Sequence, residues 1–374
     1  MVMQVLVSQI TRLISLLKIS IRFCILFIML TSFLLLQSCK SPTSPNADNL
    51  PDTTSQNFTW QKYYFGVGGY TLLNDVAIIS DTCIWAVGSI YLNDSTGNPE
   101  QEQHNAIHWD GKNWNIERIE FYTICGQLHK TSYPGVTINK LNDTTVWISG
   151  AGNQIASING VNQTSIDCLP FDMGINKTWV ENSNSIYAVG YGGTIAHYSD
   201  GTWQKIESGT DMNIPDIWGV TNPKTGKSEI LAVASYQDTS VDRKILQITG
   251  NTATTISSNG INWDLHSIWF KSQSQYYVAG TYFYNKNLLS DNSWSNQYSN
   301  VTEYYINCIR GNDVNDIVAV GAFGEVLHYN GKRWKSFKTE TGLNGTYHSV
   351  AIKGNLIVAV GFEGQQAVIL VGKR

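Results

Sequence analysis

Trp85-Ala86-Val87-Gly88 returns along the chain in altered copies. They end at Gly150 (Val-Trp-Ile-Ser-Gly), Gly190 (Tyr-Ala-Val-Gly), Ala234 (Leu-Ala-Val-Ala), Gly280 (Tyr-Val-Ala-Gly), Gly321 and Gly361 (both Val-Ala-Val-Gly). Successive copies lie 62, 40, 44, 46, 41 and 40 residues apart. A period near 40 built from short apolar, β-favouring pieces matches one four-stranded propeller blade, and seven copies predict seven blades.

Around each copy the same order of pieces recurs. An inner strand precedes it, as in Leu73-Asn74-Asp75-Val76-Ala77-Ile78-Ile79 or Tyr347-His348-Ser349-Val350-Ala351-Ile352. A third strand follows and runs into a tight turn: Ile107-His108-Trp109-Asp110-Gly111, Ala196-His197-Tyr198-Ser199-Asp200-Gly201, Leu327-His328-Tyr329-Asn330-Gly331. Asp-Gly and Asn-Gly tolerate the positive φ of hairpin turns, so the chain reverses there. The outer strand then opens with Trp114, Trp203, Trp294 or Trp334. The last repeat ends at Arg374 without an outer strand, while Trp60-Gln61-Lys62 resembles Trp203-Gln204-Lys205. The expected fold is therefore all-β: a seven-bladed propeller of four-stranded antiparallel blades over residues 57–374, closed by an N-terminal strand (about 57–66) that completes the last blade. Two stretches of the first blade exceed the repeat, 93–103 and 121–129, and are expected as loops on a binding face.

Composition narrows the function classes. Charged residues are only 14% and aromatic ones 11%, which suits a β-rich, aromatic-packed chain. The net charge of −4, without a basic block beyond the leader, speaks against a nucleic-acid partner, which needs cations to neutralise phosphates.

The leader has its own signal. Lys18 and Arg22 precede an apolar run from Phe23 to Leu36, shorter than the roughly 20 residues of a membrane span, so 1–38 is expected to be an export signal peptide. Its end, Leu36-Gln37-Ser38-Cys39, resembles the lipobox of bacterial lipoproteins, with Gln37 departing from the commonest pattern. That resemblance implies acylation of Cys39 and anchorage at the bacterial cell envelope, on its periplasmic or extracellular face. Residues 39–56, rich in Pro, Ser, Thr and Asn, are expected as a tether between the lipid and the domain.

The pattern Trp-Ala-Val-Gly…His-Tyr-(Asp/Asn)-Gly-x-x-Trp, spanning about residues 57–374, resembles the repeats of secreted bacterial propellers of the sialidase-like and photosystem-assembly-factor-like group. The resemblance is informative about fold rather than activity, because propellers host enzymes, scaffolds and receptors alike. The sialidase Asp-box spacing is not met at Tyr198-Ser199-Asp200-Gly201-Thr202-Trp203.

His108, His197 and His328 share one column far from the axis, a position for blade packing and not for converging metal ligands. At the start of the inner strands one alignment column reads Asp75, Val136, Lys177, Asp216, Ser267, Asn307, Ser349. Its neighbour reads Asn74, Gly135, Asn176, Pro215, His266, Ile306, His348. Inner strands line the central channel, so Asn74, Asp75, Asn176, Lys177, Asp216, His266, Asn307 and His348 are the candidate binding residues at its mouth. The column Ala77, Ile138, Trp179, Trp218, Trp269, Ile309, Ala351 fills either core or a stacking platform. Cys125 and Cys168 are the candidate disulfide, permitted by export, while Cys308 reads as a buried apolar residue. No catalytic set, metal site or cofactor motif is present. The expectation is a monomeric, non-catalytic binding or scaffold module for an envelope protein or glycan; the alternative is a carbohydrate-active enzyme with paired carboxylates at the channel mouth.

Overall fold

The computed structural model describes residues 53–150, 152–222, 224–236 and 242–374. The expected signal peptide, Cys39 and the tether up to residue 52 lie outside the described residues. The rest forms seven four-stranded antiparallel sheets and one small hairpin, Phe121–Tyr122 with Lys130–Thr131. Each sheet is one blade of a seven-bladed β-propeller. The inner strands, in blade order, are Leu72–Ser80, Thr137–Lys140, Ile175–Asn182, Asp216–Thr221, Leu265–Lys271, Ile306–Asp313 and Thr346–Lys353.

The ring closes through the N-terminal strand Thr59–Phe65, which pairs antiparallel with Gln366–Lys373 from Thr59↔Lys373 to Phe65↔Ala367. A polar clamp backs this seam. The Arg374 guanidinium donates to both Asp316 oxygens (2.8 and 2.6 Å) and to the Ser55 carbonyl, and it lies over the Phe58 ring. Thr54 Oγ1 donates to the Asn315 carbonyl and Gln56 Nε2 to the His328 carbonyl, so the last residues assigned to the tether already hold to blade six. Burial opposes ionisation of Asp316, but hydrogen bonds from His328 and Arg374 outweigh it and hold its pKa down at about 2.

Packing explains the repeated phrase. Its Ala and Val positions alternate into the two inter-blade interfaces, where Val358, Val360 and Ile369 of blade seven meet Leu73, Ala86 and Ile107 of blade one. Where the phrase ends in glycine, close approach requires it, not an unusual φ. A Cβ at Gly190, Gly321 or Gly361 would stand 1.9 Å from the carbonyl oxygen of Gly174, Tyr305 or Thr346. The histidine column is structural, as its position suggested. Within their own blades His108 faces Cys83, His197 bonds Ser185 (3.0 Å) and His328 bonds Asp316 (2.8 Å); His108 stacks on Trp85 and His197 on Tyr187. Cys125 and Cys168 form a disulfide with Cα atoms 6.0 Å apart, tying the loop of the small hairpin to the outer strand of blade two. Cys308 is buried.

Candidate functional site

Five inner strands begin with a β-bulge. In blade one Leu73 pairs with Gly88 and Asp75 with Val87, leaving Asn74 without a partner in the ladder. Asn176, His266, Asn307 and His348 are skipped in the same way. The skipped residue turns its side chain to the channel mouth, because a bulge re-aims the chain at a strand end. With Val136 and Pro215 from blades two and four, these residues ring a basin of about 470 Å³, within the usual range for small-ligand sites.

Asn307 and Val136 thus belong to the mouth ring and not beside Asp75, where the sequence alignment put them. The ladder places Thr137, paired with Ser149, and Cys308, paired with Val320, in the deeper column. The same one-residue correction moves Asn139 and Arg310, not Ile138 and Ile309, into the column of the three tryptophans.

Asp75, Lys177 and Asp216 do not open onto the mouth. They form a second layer beneath it, and both carboxylates are buried. Asp75 accepts from Lys177 Nζ (2.7 Å), Ser349 Oγ (2.6 Å), Thr137 Oγ1 (2.7 Å) and the Ile138 amide. Asp216 accepts from both Arg310 terminal nitrogens (2.9 and 2.8 Å), Ser267 Oγ (2.6 Å) and the Ile217 and Ile268 amides. Asp75 therefore ties its blade to blades on either side, and Asp216 ties blade four to blades five and six. Burial by itself would raise both pKa values; the cations more than offset it, so both carboxyls ionise below the usual carboxylate range. Two carboxylates fully spent on ion pairs serve neither as proton donor nor as nucleophile, so the paired-carboxylate chemistry of a glycosidase has no support here. Among the described residues no three His, Cys, Asp or Glu converge as a metal site.

Of the three tryptophans, Trp269 is core and Trp179 is half-buried against the core. Their indoles lie against Gly219 and Gly311 of the next blade, where a Cβ would meet ring carbon at 2.5 and 2.6 Å. Trp218 has the Arg310 guanidinium 5.0 Å over its ring centre and, with Trp179, lines a separate cavity of about 180 Å³.

The mouth ring is also stapled from blade to blade. Asn74 Nδ2 donates to the Gly135 carbonyl (2.8 Å), Asn176 Nδ2 to Ile214 (3.2 Å), Asn307 Nδ2 to Tyr347 (2.8 Å), and His348 Nδ1 to Leu73 (2.9 Å). Burial pushes the pKa values of His266 and His348 down from the ordinary 6.5; Asp216 and Asp264 pull His266 back in part, and the bond to Leu73 does so for His348. Both imidazoles, and the buried carboxylates, bind more protons in the unfolded chain than in the folded one. The contribution of these groups should therefore be flat above about pH 6.5, fall as pH drops below it through the imidazoles, and fall again below about pH 3.8 through Asp75 and Asp216. Urea midpoints across this range check it; a midpoint that rises on acidification from pH 7 to 5 contradicts it.

Sequence reasoning missed Thr137, Arg310, Asp264 and Tyr305. Thr137 was findable, since the deep-column residue stands thirteen places before the blade glycine in blades one, two, three, five and six. Arg310, a cation next to the buried Cys308 and Ile309 in an inner strand, was the other available signal.

No protein-family model matches the chain, and no curated protein matches it. Solved structures do. The structure titled "YCF48 bound to D1 peptide" superposes with a TM-score of 0.61 at 13% identity, covering 89% of this chain and 99% of that one. YCF48 from Cyanidioschyzon merolae gives 0.55 at 14% identity, covering 83% and 98%. The WD40 β-propeller domain of Doa1 gives 0.56 at 12% identity, covering 86% and 98%. The shared property is the fold.

Proposed function

We propose that the protein is a non-catalytic binding module, held at the bacterial cell envelope through acylated Cys39, that presents its channel-mouth face to an envelope polypeptide. The observation that carries this reading is the difference between the two faces of the ring. Among the described residues, nine large apolar side chains more than a third exposed lie in connections at the mouth end, including Tyr70, Leu128, Tyr191 and Phe323; only Val161 and Leu288 lie at the other end. Single exposed apolar residues are ordinary, but their segregation to one face marks an interaction surface.

Phe323 is the most telling of them. It is 62% exposed yet held at φ 56°, where the matching turn of blade three has Gly192 at φ 61°. A bulky residue in the left-handed region costs roughly 1–2 kcal/mol, a cost retained where the side chain serves a partner. The peptide in the YCF48 structure supports the use of this fold to hold a polypeptide, and the disulfide suits an exported protein.

Phe323→Gly is expected to raise unfolding stability by about 1 kcal/mol while weakening capture of envelope partners by affinity purification. Unchanged partners in both this variant and one lacking residues 93–103 would refute the proposed face. Cys39→Ser should abolish incorporation of labelled palmitate; undiminished labelling would refute the anchor.

A further inference from the structure

We infer that the mouth basin receives one cationic, hydrogen-donating group, an alkylammonium or guanidinium side chain of the polypeptide partner. The inference rests on the binding-module reading and names the chemistry of its central contact.

The blade-to-blade staples fix which atoms face the basin. A backbone carbonyl cannot donate, so the group of Asn74, Asn176 and Asn307 that meets it must be the amide nitrogen, and the amide oxygen must point away. None of those three oxygens has a hydrogen-bond partner among the described residues, and none is sealed from solvent. The same logic applies to His348. Its Nδ1 meets the Leu73 carbonyl and must carry the proton, so Nε2 of the neutral ring is an acceptor. A ring that staples its blades with donors therefore shows acceptors to the channel.

Charge points the same way. Among the described residues no lysine or arginine lines the basin, and its only carboxylate is Asp264, which accepts from the Thr281 and Tyr305 hydroxyls and has no ionic partner there. The cations beneath the basin are neutralised, Lys177 by Asp75 and Arg310 by Asp216. His266, beside Tyr305, is neutral at pH 7, its pKa lowered by burial. An anion would meet lone pairs and a carboxylate there. A bare metal ion would find too few charged ligands. An ammonium or guanidinium offers several N–H donors to several neutral acceptors and gains from Asp264 at short range.

The test uses the full-length chain in detergent and two fluorescein-labelled pentapeptides, Gly-Lys-Gly-Lys-Gly and Gly-Glu-Gly-Glu-Gly, titrated by polarisation at low salt. The lysine peptide is expected to bind and the glutamate peptide not, with binding weakened by added salt. Asn307→Lys keeps a donor to the Tyr347 carbonyl but replaces the acceptor with a cation, and should weaken the lysine peptide about tenfold. Should that variant melt early, Asp264→Asn decides: it leaves the acceptor ring intact and should weaken binding severalfold. Equal binding of the two peptides, unchanged binding in the deciding variant, or tighter binding of neutral oligosaccharides such as cellotetraose would overturn the inference. Loss of envelope partners in Phe323→Gly with no lysine-peptide binding would leave the binding face standing and remove only its cationic contact.

Discussion

Arg310→Met should cost the fold about 3–5 kcal/mol, measured as a fall in the urea midpoint at constant slope. The guanidinium is 10% exposed and the Asp216 carboxylate 4%. Removing the cation leaves a buried carboxylate that keeps Ser267 and two backbone amides but loses both of its charged donors. Arg310 also donates to the Ile268 and Ile309 carbonyls and covers Trp218, so three blades lose a common partner. The double variant Asp216→Leu/Arg310→Met removes both charges, and its loss should be clearly smaller than that of Arg310→Met alone, because no unpaired ion remains. A single-variant loss below about 1 kcal/mol would mean that water reaches the pair and that this layer is not a dry staple. Lys177→Met at the companion pair should cost less, since Lys177 is 15% exposed and Asp75 keeps Ser349, Thr137 and the Ile138 amide.

This behaviour separates what was legible in the sequence from what was not. The blade count, the closing strand and the role of the histidine column all follow from period and alternation, which sequence carries directly. The two channel layers do not. Asn74 and Asp75 are neighbours in the chain and look equally available, yet the bulge between Leu73 and Asp75 sends one to the basin and the other into a buried ion pair. A bulge shifts facing by one residue without changing composition, so periodicity cannot reveal it. The misplacement of Asn307 has the same origin; that of Val136, in a strand without a bulge, was a one-residue slip that the spacing to Gly150 could have corrected. Arg310 belongs to Asp216, 94 positions away and two blades distant, a pairing that no local pattern carries. Asp264 was passed over because it precedes its strand, where local pattern reads only a connection.

Gly321→Ala should destabilise the protein by about 3 kcal/mol, whereas Ala234→Gly, the reverse change at the equivalent place in blade four, should cost only about 1 kcal/mol. The two positions occupy the same column of the repeat and differ in what stands opposite. In blade six the ladder includes the pair Ile306↔Gly321, which draws the Tyr305 carbonyl to 1.9 Å from the site of a Cβ. That oxygen is backbone and also accepts from the Ala322 amide, so relief requires moving the strand start and the Asn307 bulge with it. In blade four the ladder starts one pair later, at Asp216↔Val233, behind Pro215, which has no N–H to offer, and the methyl of Ala234 is buried there. A methyl in the first place is an overlap with main chain, and in the second it is ordinary packing. Because the Gly321 overlap sits directly beside the mouth ring, its relief should also move the Asn307 side-chain amide resonances in ¹⁵N spectra, while Ala234→Gly should leave them in place. Equal stability losses in the two variants would show that the recurring glycine reflects strand flexibility and not the close approach of the inner strand, and the explanation of the repeat by packing would fall.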